Sequence, residues 1–190
     1  MWPAHSAAFA WMIYLSMVSL ILPTAAYADP MDENTLKATL TLNFARYTEW
    51  PEGSFHSAEE NIDLCLIGSH AVADAFAAAI HGKTVKKRKL HLRNISPTEP
   101  KTGCHILYVS GLERRALPSL LAPIADSPIL TIGETGGFLN SGGIIQLVLQ
   151  DNKIAFLIQA EAAQRHHLHL SALLLRHAIN TGKPAKDTSS

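Results

Sequence analysis

The chain is organised around one stretch, residues 104–143, with the sequence CHILYVSGLERRALPSLLAPIADSPILTIGETGGFLNSGG. It predicts a buried strand, a short helix, a second buried strand and a glycine-rich loop. The runs CHILYV and PILTIG are continuous apolar stretches of about six residues bounded by turn formers, which is typical of parallel strands covered on both faces. Because a strand–helix–strand unit requires a right-handed crossover, this stretch predicts an α/β fold with a largely parallel sheet.

Further strands are predicted on both sides of this stretch. Before it, residues 62–67 form a buried apolar run, a short alanine-rich helix follows, and residues 89–95 alternate in polarity like a half-exposed edge strand. After it, the apolar runs 144–149 and 154–158 flank Asp151-Asn152, which indicates a tight-turned hairpin. We therefore expect a compact single-domain three-layer fold, in which helices flank a mixed, largely parallel sheet that ends in a hairpin and a helix.

The first helix is predicted over about residues 34–50 and ends before Pro51. Its apolar stripe consists of Leu36, Leu40, Phe44 and Tyr47. Asn43 lies on the same stripe, either as a buried amide satisfied by the backbone or as a polar contact inside a pocket. Trp50 is either a plug of the core or an anchor of an interface, and we favour the plug.

The last helix is predicted over roughly residues 160–180 and is apolar around most of its circumference. One face carries Leu168, Ala172, Leu175 and Ile179. A helix this apolar is either central in the fold or shared with another surface.

The N-terminal residues have the pattern of a secretory signal peptide. Residues 1–28 carry no charged side chain, residues 7–22 are almost wholly apolar, and Ala-Tyr-Ala at 26–28 is a small-x-small cleavage site. The alternative is an uncleaved membrane anchor. We assign the folded domain to residues 29–180 and a disordered tail to 181–190, and we expect both outside the cytoplasm.

The composition limits the classes of partner. Basic and acidic residues balance at 16 each, and the basic residues are spread except for a cluster formed by Lys83 and residues 86–89. We interpret this cluster as a solvated strand end, because a nucleic-acid face usually shows a clear positive excess.

The two cysteines, Cys65 and Cys104, form an even count in an oxidising compartment, which favours a disulfide. They are a structural disulfide, a switchable one, or two inert buried thiols.

No motif for catalysis is found. The glycine loop 137–143 has the glycine spacing of a phosphate loop, but Gly143 stands where the lysine is required. His166 and His169 could share a metal, but no third ligand has a fitting spacing. The mature carboxylates are scattered, and no serine-hydrolase motif or C-x-x-C motif is present. We therefore predict a protein that is not an enzyme and has no metal and no cofactor.

Six segments in order resemble the YfiR-like family of periplasmic proteins, over about residues 33–179. They are LNFARYTEWP (42–51), IDLCLIG (62–68), GCHILYVS (103–110), PILTIGE (128–134), GGFLNSGGIIQLVLQDNKIAFLI (136–158) and LHLSALLLRHA (168–178). The resemblance implies a compact, often dimeric α/β domain that acts in the periplasm without catalysis. Its best-known members bind the periplasmic sensor part of an inner-membrane diguanylate cyclase and hold it inactive. Their release raises cyclic di-GMP and promotes surface attachment.

The family's cysteine pair falls on Cys65 and Cys104, where the resemblance implies a disulfide linked to folding and to redox response. The second cysteine pair of some members has no counterpart in this sequence. After the leader is cleaved, we expect a homodimer that neither inserts directly into the membrane nor binds nucleic acid.

Our hypothesis is therefore a periplasmic regulator of a membrane diguanylate cyclase. The residues expected to contact a partner or ligand are Asn43, Tyr47, Trp50, Glu134, Phe138, Leu168 and Leu175. The alternative is a periplasmic carrier or sensor of a small ligand, with its mouth at the strand ends around residues 134–141.

Overall fold

Helices and strands alternate along the chain in the computed structural model, which describes residues 32–150 and 153–179. The α-helices are α1 (Glu33–Arg46), α2 (His70–Ile80), α3 (Leu117–Leu121), α4 (Ala160–Arg165) and α5 (Ala172–His177). The strands are β1 (Thr48–Glu49), β2 (Ile62–Ile67), β3 (Thr84–Val85), β4 (Arg88–Asn94), β5 (Ile106–Val109), β6 (Leu130–Gly133), β7 (Ile145–Gln150), β8 (Lys153–Ile158) and β9 (His169–Leu170). The predicted signal peptide, the Asp151-Asn152 turn and the predicted tail at 181–190 lie outside the described residues.

The main sheet has seven strands in the order β3-β4-β2-β5-β6-β7-β8. The strands from β4 to β7 in this order are parallel to their neighbours, and the two outer strands, β3 and β8, pair antiparallel. This arrangement confirms the predicted mixed, largely parallel sheet. The chain goes from β2 to β4 on one side and then crosses back to place β5 on the other side of β2.

This reversal of direction produces the three layers. Right-handed crossovers that run in opposite directions put their helices on opposite faces of a sheet. Accordingly α2, together with α1, covers the face that carries Leu64 and Tyr108, whereas α3 covers the face that carries Leu107 and Val109. Neighbouring residues of a strand point to opposite faces, so each buried strand contributes to both cores. The predicted three-layer architecture is confirmed.

The first helix is shorter than predicted, because α1 ends at Arg46 rather than near Trp50. Thr48 and Glu49 instead pair as β1 with β9 in a separate two-stranded sheet. The side chain of Phe44 is buried as predicted, but Tyr47 is exposed to 40 %. The backbone hydrogen bonds of the short sheet replace those of one more helical turn.

The prediction of a single long helix over residues 160–180 is wrong. Helix α4 ends at Arg165, and His167 has a positive φ of 55° that turns the chain into β9. Helix α5 then begins after Ser171, whose hydroxyl accepts a hydrogen bond from the Leu174 N–H at 3.3 Å. Serine at this position is a preferred helix cap, so the second start has a local cause. None of the described helices has the length and apolarity needed to cross a bilayer.

The predicted hairpin is present as β7 and β8, which pair along six residues each. Strand β6 pairs with β7 only at Ile145 and Gln146. The half of the hairpin that is nearest its turn therefore extends past the rest of the sheet. Leu149 in that half is exposed to 67 %. Helix α3 carries Pro118 in its first turn, as predicted.

Candidate functional site

Cys65 and Cys104 form a disulfide on the α3 face of the sheet, with their Cα atoms 5.7 Å apart. Cys65 lies in the middle of β2, and Cys104 lies just before β5. The register partner of Cys65 in the parallel β2–β5 pair is Leu107, so Cys104 reaches Cys65 from the chain that precedes β5 and not as its partner in the sheet. Both cysteines are buried. The predicted disulfide is therefore present, and its burial favours the structural interpretation over a readily reduced bond.

A groove of about 930 Å³ lies next to this disulfide. Its walls are the connection at residues 97–104, helix α3, the loop at 127–129 and the backbone near Ser54. The groove exists because α3 is the only described α-helix on this face, so the connection between β4 and β5 covers the rest of it as a loop. Prediction from the sequence placed a mouth at 134–141 and missed this groove.

An aromatic stack holds the loop at residues 51–61 against the sheet. The rings of Phe55 and His105 are parallel with centroids 4.4 Å apart, and the guanidinium of Arg88 lies 3.9 Å from the Phe55 centroid on that ring. Arg88 also donates hydrogen bonds to the carbonyls of Ser57 and Glu60. The contributing side chains come from separate segments, so no local sequence signal could have identified the stack.

His105 is fixed by hydrogen bonds at both ring nitrogens. Its Nδ1 accepts from the Asp63 N–H at 3.1 Å, and its Nε2–H donates to the Ser54 carbonyl at 3.0 Å. This pair of partners assigns the acceptor role to Nδ1 and the donor role to Nε2. The indole N–H of Trp50 donates to the His105 carbonyl at 3.3 Å, and Trp50 packs edge-on against Phe55. Trp50 is therefore a partly buried plug, which is the interpretation that the sequence favoured.

Glu134 lies at the carboxyl edge of the sheet in a network of charged groups. Its carboxylate accepts from the Tyr108 hydroxyl at 2.5 Å and from the Lys37 ammonium at 2.5 Å, and Lys37 also bridges to Glu33 at 2.6 Å. Burial alone would lower the pKa of Lys37, but the hydrogen bonds to the two carboxylates outweigh it and raise that pKa. Burial, with the bond to Glu134, also raises the pKa of Tyr108, so its hydroxyl remains a donor.

The glycine loop forms a socket for Phe138, and it does not cradle a phosphate. The Phe138 side chain is completely buried. A Cβ at Gly133 or Gly143 would lie only 2.4 or 2.2 Å from the ring, so the two glycines leave the space that the ring occupies. Phe138 was expected to contact a ligand or partner, but its burial does not match that role.

The other predicted contact residues are divided between the interior and the surface. Leu168 was expected to contact a partner or ligand, but it is buried, and it lies before β9 rather than on one helix with Leu175. Asn43 is partly exposed, and its side-chain oxygen accepts from Arg46 at 3.1 Å, so it is not a buried amide satisfied by the backbone, and its role as a pocket contact stays a prediction. Tyr47 and Leu175 are exposed.

Exposed apolar side chains gather where α1 ends and α5 begins. We call Tyr47, Leu173, Leu175 and Ile179 the α5 patch, and each of them exposes more than a third of its surface. The Ser171 N–H donates to the Tyr47 carbonyl at 2.9 Å, and the Ile179 N–H donates to the Phe156 carbonyl of β8 at 2.9 Å. The patch therefore lies beside the outer strand β8. Only Leu174 of α5 is buried, so Leu173 and Leu175 flank it on the outside.

The two histidines considered as metal ligands are not placed together on one helix. His166 is buried and its Nδ1–H donates to the Ser127 carbonyl at 2.8 Å, whereas His169 is exposed in β9. Among the described residues, no group of three His, Cys, Asp or Glu side chains is placed to hold a metal ion.

One comparison with known proteins bears on this arrangement. The model of the YfiR/HmsC-like family (DUF4154) matches residues 34–179. The match covers most of the chain and includes both cysteines, the glycine loop and the segment that forms α5. The chain therefore belongs to the YfiR/HmsC-like family.

Proposed function

We propose that this protein is a periplasmic, non-enzymatic regulator that binds the periplasmic sensor region of an inner-membrane diguanylate cyclase and keeps the cyclase inactive. It would thereby lower cyclic di-GMP and restrain biofilm formation. Membership in the YfiR/HmsC-like family supports this proposal. The apolar leader with its small-x-small site supports export.

The observation that carries the proposal is the α5 patch. Tyr47 lies at the end of α1, and Leu173 and Leu175 lie on α5; all three are large side chains that remain in contact with solvent. Groups of exposed large apolar side chains on a folded domain mark protein interaction sites. Aromatic anchors such as Tyr47 are enriched among the residues that dominate binding energy.

The interior polar groups support a binding role over a catalytic one. The carboxylate of Glu134 is already paired with Tyr108 and Lys37, and the ring nitrogens of His105 both have backbone partners. A general base or nucleophile must be able to reach a substrate. These groups are instead held in contacts that stabilise the fold.

Control of a cyclase requires that the regulator bind one state of the sensor region more tightly than the other. A ligand shifts a conformational equilibrium only by its differential affinity for the two states. Reversing a population ratio from about 1:99 to about 99:1 needs a difference of about 10⁴-fold. A rigid apolar patch can supply such a difference if the inactive sensor region presents a complementary surface and the active one does not.

The experiment is a pull-down of the full-length exported protein from solubilised membranes, combined with measurement of cellular cyclic di-GMP. The Leu173→Glu/Leu175→Glu double variant should lose the cyclase and raise cyclic di-GMP to the level of a deletion strain. The control is Leu149→Glu, which places the same charge on an exposed leucine outside the patch. Recovery of no cyclase by the wild-type protein, or unchanged cyclic di-GMP on deletion, would refute the proposal. Sedimentation velocity of the same proteins would test the expected homodimer.

A second candidate is a periplasmic sensor of a small ligand, and the groove beside the disulfide is the observation that favours it. Its volume of about 930 Å³ is sufficient for a small molecule. A smaller pocket of about 370 Å³ lies at Glu134 and Gly136, within the mouth first expected at 134–141, but the Glu134 carboxylate is paired internally and Phe138 is buried. A thermal-shift screen with nucleotides and amino acids tests this candidate. A strong hit lost in a Ser119→Trp variant, which adds a bulky side chain at an exposed position of the groove wall, would favour it.

A further inference from the structure

The most basic segment of the chain is the β3–β4 hairpin. Residues 83–93 (KTVKKRKLHLR) contain six of the sixteen lysines and arginines and no aspartate or glutamate, although the whole chain has a formal net charge of zero. The hairpin lies at one edge of the main sheet, far from β8 in the strand order. Positive charge is therefore concentrated at one edge of the sheet, and the rest of the chain carries more acidic than basic residues.

The turn of this hairpin has an unusual sequence for its conformation. Val85 pairs with Arg88, which leaves Lys86 and Lys87 as a two-residue loop, and their φ angles are 51° and 69°. Two consecutive positive φ values in a two-residue hairpin loop define a type I′ turn, for which Asn-Gly is strongly preferred. Side chains with a Cβ are disfavoured at such angles. Two lysines are therefore present where the backbone alone favours asparagine and glycine.

The basic side chains of the hairpin divide into two groups. Arg88 and Arg93 are used inside the molecule, since Arg88 packs on Phe55 and Arg93 donates to the Thr102 carbonyl at 3.2 Å. The exposed group consists of Lys83, Lys86, Lys87 and Lys89, and we call it the lysine tip. No ion pair involves these four lysines within the described part of the chain. Glu60, whose backbone contacts Arg88, directs its carboxylate to the His56 N–H.

Apolar surface adjoins the lysine tip. A pocket of about 350 Å³ lies between the end of α2 and β4 and is lined by Ile80, Leu90 and Leu92, with Lys83 and Lys89 also on its wall. Cations beside partly exposed aliphatic side chains match the boundary of a bilayer, where anionic headgroups lie above acyl chains.

We propose that the lysine tip docks the protein peripherally on an anionic phospholipid surface. A hairpin at the sheet edge, with four exposed lysines that form no ion pair among the described residues, can approach a flat charged layer. Each lysine close to such a layer strengthens binding about fivefold. The adjoining aliphatic pocket adds a contact that a nucleic-acid backbone would not use. Docking would hold the protein at the membrane in which a sensor partner resides, but lipid binding itself does not depend on that partner.

The experiment is sedimentation of the purified exported protein with vesicles. One set contains phosphatidylethanolamine and phosphatidylglycerol, and the other contains phosphatidylcholine alone. The wild-type protein should bind only the anionic vesicles and should be released by salt, because screening shortens the reach of the charges. The Lys86→Asn/Lys87→Gly variant should bind about 25-fold more weakly, while its thermal midpoint stays unchanged or rises by about 2–4 °C.

The matched control is Lys153→Gln/Arg165→Gln, which removes two exposed positive charges outside the hairpin and should bind as the wild type does. If the Lys86→Asn/Lys87→Gly variant folds poorly, the Lys86→Gln/Lys87→Gln variant, which removes the same two charges, is used in its place. The proposal is overturned if the wild type ignores anionic vesicles, binds both kinds equally, or loses binding equally in the control variant. The proposal is also overturned if the tip variants bind vesicles as well as the wild type does but no longer co-purify with an acidic protein. In that case the lysine tip would bind a protein and not a lipid surface.

Discussion

The disulfide between Cys65 and Cys104 joins β2 to the start of β5, the two neighbouring strands between which the chain reverses its direction across the sheet. It closes a loop that contains α2, β3 and β4, with a separation of 39 residues. The connection between β4 and β5 has no helix to pack against the sheet. The covalent bond therefore fixes a crossover that is otherwise held by loop contacts.

Removing this bond should strongly destabilise the fold. For a loop of about 40 residues the chain-entropy model gives a loss of about 4 kcal/mol in the free energy of unfolding. Urea unfolding of the Cys65→Ser/Cys104→Ser variant measures it. Reductant should bring the wild-type curve onto the curve of the variant and should leave the variant unchanged. A variant as stable as the oxidised wild type would contradict the structural role of the bond.

Gly143→Ala should destabilise the protein by about 1–3 kcal/mol, since the new Cβ would lie 2.2 Å from the Phe138 ring in a packed core. Gly136→Ala is the matched control, because nothing lies within 4 Å of its Cβ position and its φ is not in the left-handed region. Chemical denaturation of both variants gives the comparison.

A double variant tests the cause. Phe138→Leu replaces the ring that fills the socket with a smaller side chain. Adding Gly143→Ala to Phe138→Leu should therefore lower the free energy of unfolding by less than adding it to the wild type. Equal costs in the two backgrounds would show that the ring does not set the requirement for glycine.

The sheet could be predicted from the sequence because its evidence is local. Runs such as 62–67 and 128–133 are apolar except for Asp63 and Thr131, and short apolar runs bounded by turn formers are typical of strands covered on both faces. The break in the last helix and the early end of α1 were missed because both depend on the pairing of β1 with β9, and these two strands are far apart in the sequence. Neither two-residue strand has a signal of its own, although Ser171 as a helix cap was visible.

The candidate site was predictable to a smaller extent. The cysteine pair was identified because two cysteines in a chain that is predicted to be exported have few alternatives. The stack of Arg88, Phe55 and His105 was missed because its members meet only in the folded protein. The burial of Phe138 was missed because its ring meets Gly133, which makes room for it, only in the folded protein.

Tyr108→Phe should lower the free energy of unfolding by about 1.5–3 kcal/mol, because it removes a hydrogen-bond donor from the partly buried carboxylate of Glu134. Glu134→Gln in the same background tests the mechanism. If the carboxylate is what makes the missing hydroxyl costly, Tyr108→Phe will cost less when residue 134 is an uncharged amide. Additive effects in this double-mutant cycle, measured by urea unfolding, would contradict the coupling.

The pH dependence of stability should depend in part on His166. Burial lowers its pKa below the ordinary value of 6.5, despite the hydrogen bond to the Ser127 carbonyl. The unfolded chain therefore binds a proton at a higher pH than the folded one. The contribution of the neutral His166 ring to the free energy of unfolding is fully present above pH 6.5. It is lost as the pH falls below 6.5 and through the lower pKa of the folded state, and the slope is at most about 1.4 kcal/mol per pH unit.

The measurement is the free energy of unfolding of the wild type and of His166→Asn from about pH 8 to about pH 5.5. Asparagine keeps an amide N–H close to the position of Nδ1 but does not titrate. The variant should be less stable than the wild type above pH 6.5, and the difference should shrink as the pH falls. His167→Asn changes the neighbouring exposed histidine, which contacts Asp126 at 2.8 Å, and should leave the slope below pH 6.5 in place. A constant difference between wild type and His166→Asn across this range would mean that the buried ring does not titrate differently in the folded and unfolded states.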